Sequence, residues 1–391
     1  MIDVAAVRAD TPGVDHVVHF NNAGASLMPR PVYDKITEVL KEEFLGGGYE
    51  AERAHVEEIQ AVYTSLARLV NGAVDEIAVV DNATVGWQQA FYGMRFEPGD
   101  QVLTTTTEYG ANFVAYLQIA QRKGITVDIV PDTETGEMDV TALESMITDR
   151  TKLISINHMP TSGGLVNPVA EVGKVARSAG VPFLLDACQT LGQMPIDVEA
   201  IGCDMVMGTS RKFLRGPRGV GFLWVRGSML DRLDPIVLDH HGAKWTSPTS
   251  FRPVATARRF EHWESMIAAK IGFGVAVDYA LDLGLELIWE RVQDLSSELR
   301  VRLQETPGVT LHDRGRVQGA IVTFDVAGVD PHVVRDVLKS GGINVSFSTR
   351  ASSVIDFDRR GITSLVRAAP HYFNTSDEIG TLAEAVGGLV L

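Results

Sequence analysis

The sequence predicts an α/β fold. A large domain carries a mostly parallel seven-stranded sheet between helices, and a smaller C-terminal α+β domain follows it. Three observations lead there. Seven short apolar runs alternate with helical patterns between residues 77 and 225, which is how parallel strands covered on both faces read. The texture changes after about residue 230, where a polar and aromatic stretch gives way to long helical patterns and then to further strands. The chain has 391 residues, 45% of them hydrophobic and 22% charged, enough for more than one core.

The elements follow in order. Pro31 opens a helix to about Phe44, stopped by Gly46-Gly47-Gly48; proline early and glycine late is the helical asymmetry. A second helix covers roughly Ala51 to Val70, with Ile59, Val62, Tyr63, Leu66 and Leu69 at helical spacing and Asn71-Gly72 after it. Strands are expected at Ile77–Val80, Gln101–Thr104, Thr126–Val130, Leu153–Ile156, Pro182–Leu185, Met205–Met207 and Gly221–Val225. Helices are expected near Val85–Phe96, Asn112–Arg122, Val140–Thr148 and Val169–Ala179. The stretch Asp239 to Pro253 reads as a loop. A long helical stretch from Glu264 to Glu305 breaks near Gly284. Strands at Ala320–Val326, Ile343–Phe347 and Ser364–Ala368, with helices near His332–Lys339 and Ser376–Leu389, complete the chain. The domain reading is an N-terminal arm (1–20), a large domain (21–250) and a small one (251–391).

Composition excludes several functions. The formal charge of −15 argues against a nucleic-acid or anionic-membrane surface. Cys188 and Cys203 are the only cysteines, with no disulfide framework and no metal-binding spacing. The first ten residues hold early acids and no apolar leader core, and no run is long enough to span a bilayer. The expectation is a cytoplasmic protein without a metal.

Ligands of open α/β sheets bind beyond the carboxyl ends of the strands, so the polar residues there are the candidates. Asp81-Asn-Ala83-Thr84 leads into a helix and offers backbone N–H groups and a hydroxyl to an anion, or is an ordinary N-cap. Tyr109 can stack on a planar ring or cap the core. Asn157-His158-Met-Pro-Thr161-Ser-Gly-Gly is a tight turn with hydrogen-bonding groups. Asp186 ends an apolar strand, where its carboxylate needs a cationic or donor partner, or caps the next helix. Lys212 lies between two apolar strands, where burial and Arg211 both lower an amine pKa; it is either an exposed hairpin lysine or an amine that can join a carbonyl. Arg367 sits within an apolar strand and binds a carboxylate bidentately, either a substrate's or a structural one. Arg350 is a second arginine, in a loop.

In this order the residues resemble the class V aminotransferases of the pyridoxal phosphate (PLP) fold-type I superfamily, from Phe20-Asn-Asn-Ala-Gly-Ala-Ser26 to Arg367…His371-Tyr-Phe-Asn374-Thr375. The resemblance implies that Lys212 carries the cofactor aldehyde and Asp186 faces the pyridine nitrogen. Gln189 and Thr161 would lie near the ring hydroxyl and Tyr109 on the ring face. Ala83, Thr84, Thr209 and Arg211 would hold the phosphate. Arg367 would hold the substrate carboxylate, with Asn22 also facing the substrate. From loop position alone, and not from the resemblance, Arg350, Trp245 and His240 or His241 are expected at the distal part of the substrate. The resemblance implies a homodimer. The segments Arg211-Lys-Phe-Leu-Arg-Gly-Pro-Arg-Gly219 and Arg258-Arg-Phe-Glu-His-Trp-Glu264 are similar to the branch with ergothioneine-type C–S lyases and isopenicillin N epimerase-like proteins.

One departure narrows the chemistry. Desulfurases of this family carry sulfur on a loop cysteine, but the matching stretch Ser346 to Asp356 has none. The position of their stacking histidine holds Tyr109, and that of the histidine before the lysine holds Arg211. The threonine they donate across a dimer interface has no clear match in Arg259 to Glu264. The leading expectation is therefore a PLP-dependent C–S lyase that eliminates the sulfur group of a cysteine S-conjugate or its sulfoxide, giving pyruvate and ammonia. Transamination, epimerisation and decarboxylation-linked deamination are the alternatives within the cofactor's repertoire. A non-catalytic binding protein is the alternative outside it.

Overall fold

The computed structural model describes residues 1–390. All seven expected strands form one sheet: β1 (Ile77–Val80), β2 (Gln101–Thr105), β3 (Thr126–Val130), β4 (Thr151–Asn157), β5 (Phe183–Asp186), β6 (Met205–Thr209) and β7 (Gly221–Val225). Their spatial order is β1-β7-β6-β5-β4-β2-β3. Only β7 runs against the others, paired antiparallel with both β1 and β6.

The sheet is apolar on both faces, and residue parity divides its side chains between two cores. Val79, Ile154, Ile156, Phe183, Leu185, Val206, Phe222 and Trp224 face one core, with Val62, Leu66 and Phe273 from helices. Ala78, Val80, Val102, Leu153, Leu184, Met205, Met207 and Leu223 face the other, with Trp87, Phe91, Tyr116 and Ile119. A period of two along each strand produces this division, and it explains why the strands read as unbroken apolar runs. Truncating a residue as enclosed as Leu185 would cost about 2–5 kcal/mol.

A second sheet of four antiparallel strands follows, in the order Val309–Leu311, Val322–Val326, Ser364–Ala368, Ser346–Thr349. Its core is separate and includes Phe20, Leu299, Val322, Phe324, Val366, Ile379 and Val386. The N-terminal arm joins this unit: Val18–His19 pairs with Ile343–Asn344. The helix Ile267–Leu283 belongs to the other core, because Ala269, Phe273 and Val277 pack in the first cluster with Val62 and Leu66. Packing therefore does not change side at residue 250.

Several elements differ from expectation. The helix expected over Ala51–Val70 is two, Gly48–Ala54 and Val56–Val70, joined at His55. His55 is anchored between Glu42 and Glu58 at 2.7 and 2.6 Å, which fixes the corner. The expected loop at Asp239–Pro253 contains an antiparallel hairpin, Ala243–Ser247 with Ser250–Pro253. Its side chains are mostly exposed, so no apolar alternation marks it. The strand expected over Ile343–Phe347 is interrupted at Val345 and serves two sheets. No helix among the described residues is long and apolar enough to cross a membrane, and no cluster of His, Cys, Asp and Glu there could hold a metal ion.

Candidate active site

A cavity of about 290 Å³ opens at the carboxyl ends of β1, β4, β5 and β6. Ten of the twelve candidate residues line it: Ala83, Thr84, Tyr109, Thr161, Asp186, Gln189, Thr209, Arg211, Lys212 and Arg367. Parallel strands deliver their C-terminal residues to one edge of the sheet, so side chains far apart in sequence converge there.

Lys212 follows β6 in the turn that leads back to β7. The two strands pair as an antiparallel hairpin, and Lys212 in its turn lines the cavity. Its backbone is held from several sides. The Arg215 N–H donates to Lys212 O at 2.9 Å. The Phe213 carbonyl meets His371 Nε2 at 2.7 Å, and the Ser210 hydroxyl donates to Val220 O at 3.1 Å and also to Pro217 O. Arg215 is 1% exposed and has φ 61°, a left-handed conformation rare for a non-glycine residue. Its guanidinium donates to Leu27 O, Tyr372 Oη and Thr11 Oγ1 at 2.6–2.8 Å and lies 4.6 Å from the Phe373 ring centroid. Burial depresses the Lys212 amine below the ordinary lysine range, and nearby Arg211 adds to it.

Asp186 closes one wall. Its Oδ1 accepts the Cys188 N–H at 2.9 Å and its Oδ2 accepts from Asn112 Nδ2 at 3.0 Å. Behind Asn112 stands Glu108, whose Oε1 accepts from the same amide at 3.0 Å and from the Tyr109 N–H at 2.7 Å. On the opposite wall Arg367 donates to Thr161 O at 2.8 Å, Thr161 Oγ1 at 2.7 Å and Ser346 Oγ at 3.0 Å. These are neutral oxygens. Burial, together with Arg211, pulls the Arg367 guanidinium down to about 10, the signature of a buried cation short of an anion.

The remaining candidates frame the space between these walls. Ala83 and Thr84 open the helix Ala83–Tyr92, whose Asn82 cap accepts the Val85 N–H at 3.0 Å. Gly221 lets this turn approach the sheet, since a Cβ there would stand 3.0 Å from the Ala83 nitrogen and 2.6 Å from Gly208 O. Gln189 Nε2 reaches Thr161 Oγ1 at 3.1 Å, while its Oε1 is buried without a partner. Arg211 donates to Gly24 O. Tyr109 is 41% exposed at the cavity edge.

Two candidates lie outside the lining. Asn22 is fully buried outside the cavity lining; its amide donates to Ala369 O at 2.7 Å and its Oδ1 accepts from Ser26 Oγ at 2.6 Å. It ties the N-terminal segment to the small sheet. Arg350 is held away from the cavity by Asp358, at 2.6 Å through its Nη2. Trp245, 80% exposed, His240 and His241 also lie outside the lining. Glu261, in the segment where a donated threonine had no clear match, is instead a structural anchor. It accepts from the Val79 N–H and the Tyr63 hydroxyl at 2.8 Å and pairs with Lys270 at 3.3 Å. The sequence reading gave no site role to Asn112, to Asn157 and Met159 of the turn before Thr161, or to Glu108 behind the lining.

The sequence model of the aminotransferase class-V family matches residues 18–382. The chain belongs to the aminotransferase class-V family. Class-V enzymes use pyridoxal phosphate, and the cavity fits it. The unpartnered Gln189 Oε1, the amine of Lys212, the carboxylate of Asp186 and the helix start at Ala83 supply the donors, acceptors and anion site that the cofactor's substituents require. A probable cysteine desulfurase from Methanothermobacter thermautotrophicus is 29% identical over 97% of this chain and 96% of its own length. The apo structure of a cysteine desulfurase from Thermococcus onnurineus NA1 superposes with a TM-score of 0.92 at 24% identity, covering 100% of this chain and 98% of that one. A cystine C–S lyase in complex with its reaction product cysteine persulfide superposes with a TM-score of 0.88 at 23% identity, covering 97% and 100%. The two structures show that this class-V chain has the fold-type I architecture.

Proposed function

We propose that this PLP-dependent class-V enzyme is a C–S lyase that breaks the Cβ–S bond of a cysteine S-conjugate or its sulfoxide. The observation that carries the reading is a cavity with Lys212, Asp186 and Arg367 in its walls beside a loop, Ser346–Asp356, that has no cysteine. The names of the relatives, cysteine desulfurase and cystine C–S lyase, support chemistry at a carbon–sulfur bond. The absent thiol separates this chain from sulfur transfer through an enzyme cysteine.

When bound, PLP supplies an electron-accepting ring that weakens the bonds at the substrate Cα. Asp186 would face the ring nitrogen and keep a proton there. Ala83, Thr84, Thr209 and Arg211 would hold the phosphate, Tyr109 would cover a ring face, and Thr161 and Gln189 would meet the ring hydroxyl. The Arg367 fork takes the α-carboxylate in place of the anion it lacks. Lys212, its amine made a ready base by burial, removes the Cα proton. The sulfur then leaves with the Cβ–S electron pair as thiolate, or as sulfenate from a sulfoxide. Addition of one water to the three-carbon remainder gives pyruvate and ammonia.

Cys188 is no substitute acceptor. It lines the cavity, but burial and the neighbouring Asp186 carboxylate push its thiol well above the ordinary range, and the thiolate is the nucleophilic form. Exposed apolar side chains, Phe44 at 85% and Leu45 at 70% on one helix, support a homodimer. Two free buried thiols suit the cytoplasm.

The test is incubation of the holoprotein with a panel of cysteine S-conjugates and sulfoxides. Pyruvate and thiol in equal amounts are expected. Amino-group transfer to a keto acid without pyruvate would favour transamination. Protein that binds no PLP would sink the enzyme reading altogether.

A further inference from the structure

Behind Asp186 lies a buried chain of polar groups that the proposed reaction does not use. Asn112 spends both hydrogens of its amide nitrogen: one goes to Asp186 Oδ2 and one to Glu108 Oε1, each at 3.0 Å. Glu108 Oε2 meets the Tyr116 hydroxyl and Thr104 Oγ1 at 3.3 Å. Tyr116 in turn donates to Ser155 Oγ at 2.7 Å. Glu108, Asn112 and Tyr116 are all buried, and no cation is among these contacts.

We propose that Glu108 is a positioning residue for the ring-nitrogen end of the cofactor: it fixes the Asn112 amide so that one N–H points at Asp186. The role rests on the PLP reading of the cavity. An amide free to turn offers Asp186 either its NH₂ or its oxygen, and the oxygen would repel the carboxylate. Glu108 Oε1 accepts one amide hydrogen and leaves the other in place for Asp186. Glu108 precedes the Tyr109 cap of the helix Gly110–Lys123 and Asn112 lies in its first turn, so the two side chains meet at the helix start.

Burial bears on the protonation state of Glu108. Tyr116 has one hydroxyl hydrogen, and its nearest acceptor is Ser155 Oγ. The phenol also reaches Glu108 Oε2 at 3.3 Å, as does Thr104 Oγ1. Burial, reinforced by the Asp186 carboxylate, raises Glu108 to about 8. Glutamine keeps the acceptor that faces the Asn112 amide and resembles the neutral form that burial favours.

That equivalence gives the experiment. PLP affinity is measured by equilibrium dialysis against wild-type, E108Q, E108A and N112A proteins, with the visible absorption of each PLP-loaded form and the unfolding midpoint of each PLP-free form. Loss of one charge-assisted hydrogen bond at Asp186 should weaken PLP binding about tenfold in N112A and E108A. E108Q should match the wild type in affinity and spectrum. A purely structural role would lower the PLP-free midpoint and leave the affinity of the folded protein unchanged, and that result would overturn the assignment. So would an E108Q protein as weak as E108A, because it would make the charge of Glu108 the operative feature. If E108A does not fold, N112A and E108Q decide. A wild-type protein without PLP affinity overturns the functional reading and this role together; wild-type affinity shared by N112A overturns this role alone.

Discussion

The two charged walls of the cavity are built in opposite ways. Asp186 is supported on both oxygens, by the Cys188 N–H and by Asn112, with Glu108 and Tyr116 behind them. Arg367 is equally enclosed yet has only neutral oxygens around its guanidinium. The first wall is complete before a ligand arrives, as preorganised binding of a permanent group requires. The second is left short of an anion, and the incoming carboxylate supplies it. Lys212 lies in the cavity wall with them, where it can serve both a resident cofactor and a transient substrate.

The largest effect tests whether the walls matter only through Lys212. Lys212→Ala should abolish turnover, by about 10⁴-fold or more, while Asp186 keeps its two donors and the fold is retained. Turnover measured as pyruvate release gives the answer, and a variant retaining a tenth of wild-type activity would remove Lys212 from the reaction.

The asymmetry itself is tested at Arg367. Arg367→Ala should lower kcat/KM by about 10²–10³-fold, the cost of losing a buried charge-assisted pair, with little change in PLP content. Arg367→Lys should recover only part of this, since an ammonium cannot grip a carboxylate with two parallel bonds. Equal losses of PLP and of activity in Arg367→Ala would mean that the two walls are not separate.

The Asp186 wall has a second support, visible through pH. The His158 N–H donates to Asp186 O at 2.9 Å, and its buried Nδ1 has no partner. Burial lowers the imidazole from 6.5 to about 4, so between those values the unfolded chain binds a proton that the folded one refuses. Stability is untouched above pH 6.5 and falls as pH drops toward 4. The loss approaches about 3 kcal/mol, at about 1.4 kcal/mol for each of the roughly 2.5 units. His371, pushed down by its own burial, acts in the same direction. Urea unfolding between pH 7 and 4 should show a shallower slope in His158→Gln, and an unchanged slope would place the acid lability elsewhere.

The walls differ too in how far the sequence discloses them. Asp186, Lys212 and Arg367 were legible because each is a charged residue in or beside an apolar strand, which is anomalous unless a partner exists. Ala83 and Thr84 were legible as small residues at a helix start. Asn112 and Glu108 stand beside Tyr109 in a run of polar residues, yet nothing local tells which of them turns inward. Their partner Asp186 lies 74 residues beyond Asn112. The place of Asn22 was hidden for the same reason, its carbonyl partner being 347 residues away at Ala369. Arg350 misled because a loop arginine reads as free until the helix Val354–Arg360 brings Asp358 to it. The sheet was read nearly whole because burial on both faces writes itself into every residue of a strand. The hairpin at 243–253 was not, because exposure leaves no such pattern.

The smallest expected effect bears on what the Arg367 side lacks. A desulfurase that passes sulfur to itself needs a thiol beyond the substrate, and here the strand and short helix over Ser346–Asp356 offer serines and Arg350 instead. Ser348 Oγ donates to Thr161 O at 3.4 Å, so this segment does reach the residues around Arg367. The thiols are elsewhere: Cys188 beside Asp186, its sulfur 3.4 Å from Met207 Sδ, and Cys203 buried with its thiol above the ordinary range. Elimination to a free thiol requires neither. The double variant Cys188→Ala, Cys203→Ala should therefore keep pyruvate release within about threefold of wild type. That margin allows for repacking, since a buried cysteine behaves as a small apolar side chain. Mass spectrometry of wild-type protein after turnover should find no added sulfur on either cysteine. A persulfide on Cys188, together with lost activity in the double variant, would move the sulfur acceptor to the Asp186 wall and make this chain a desulfurase by another route.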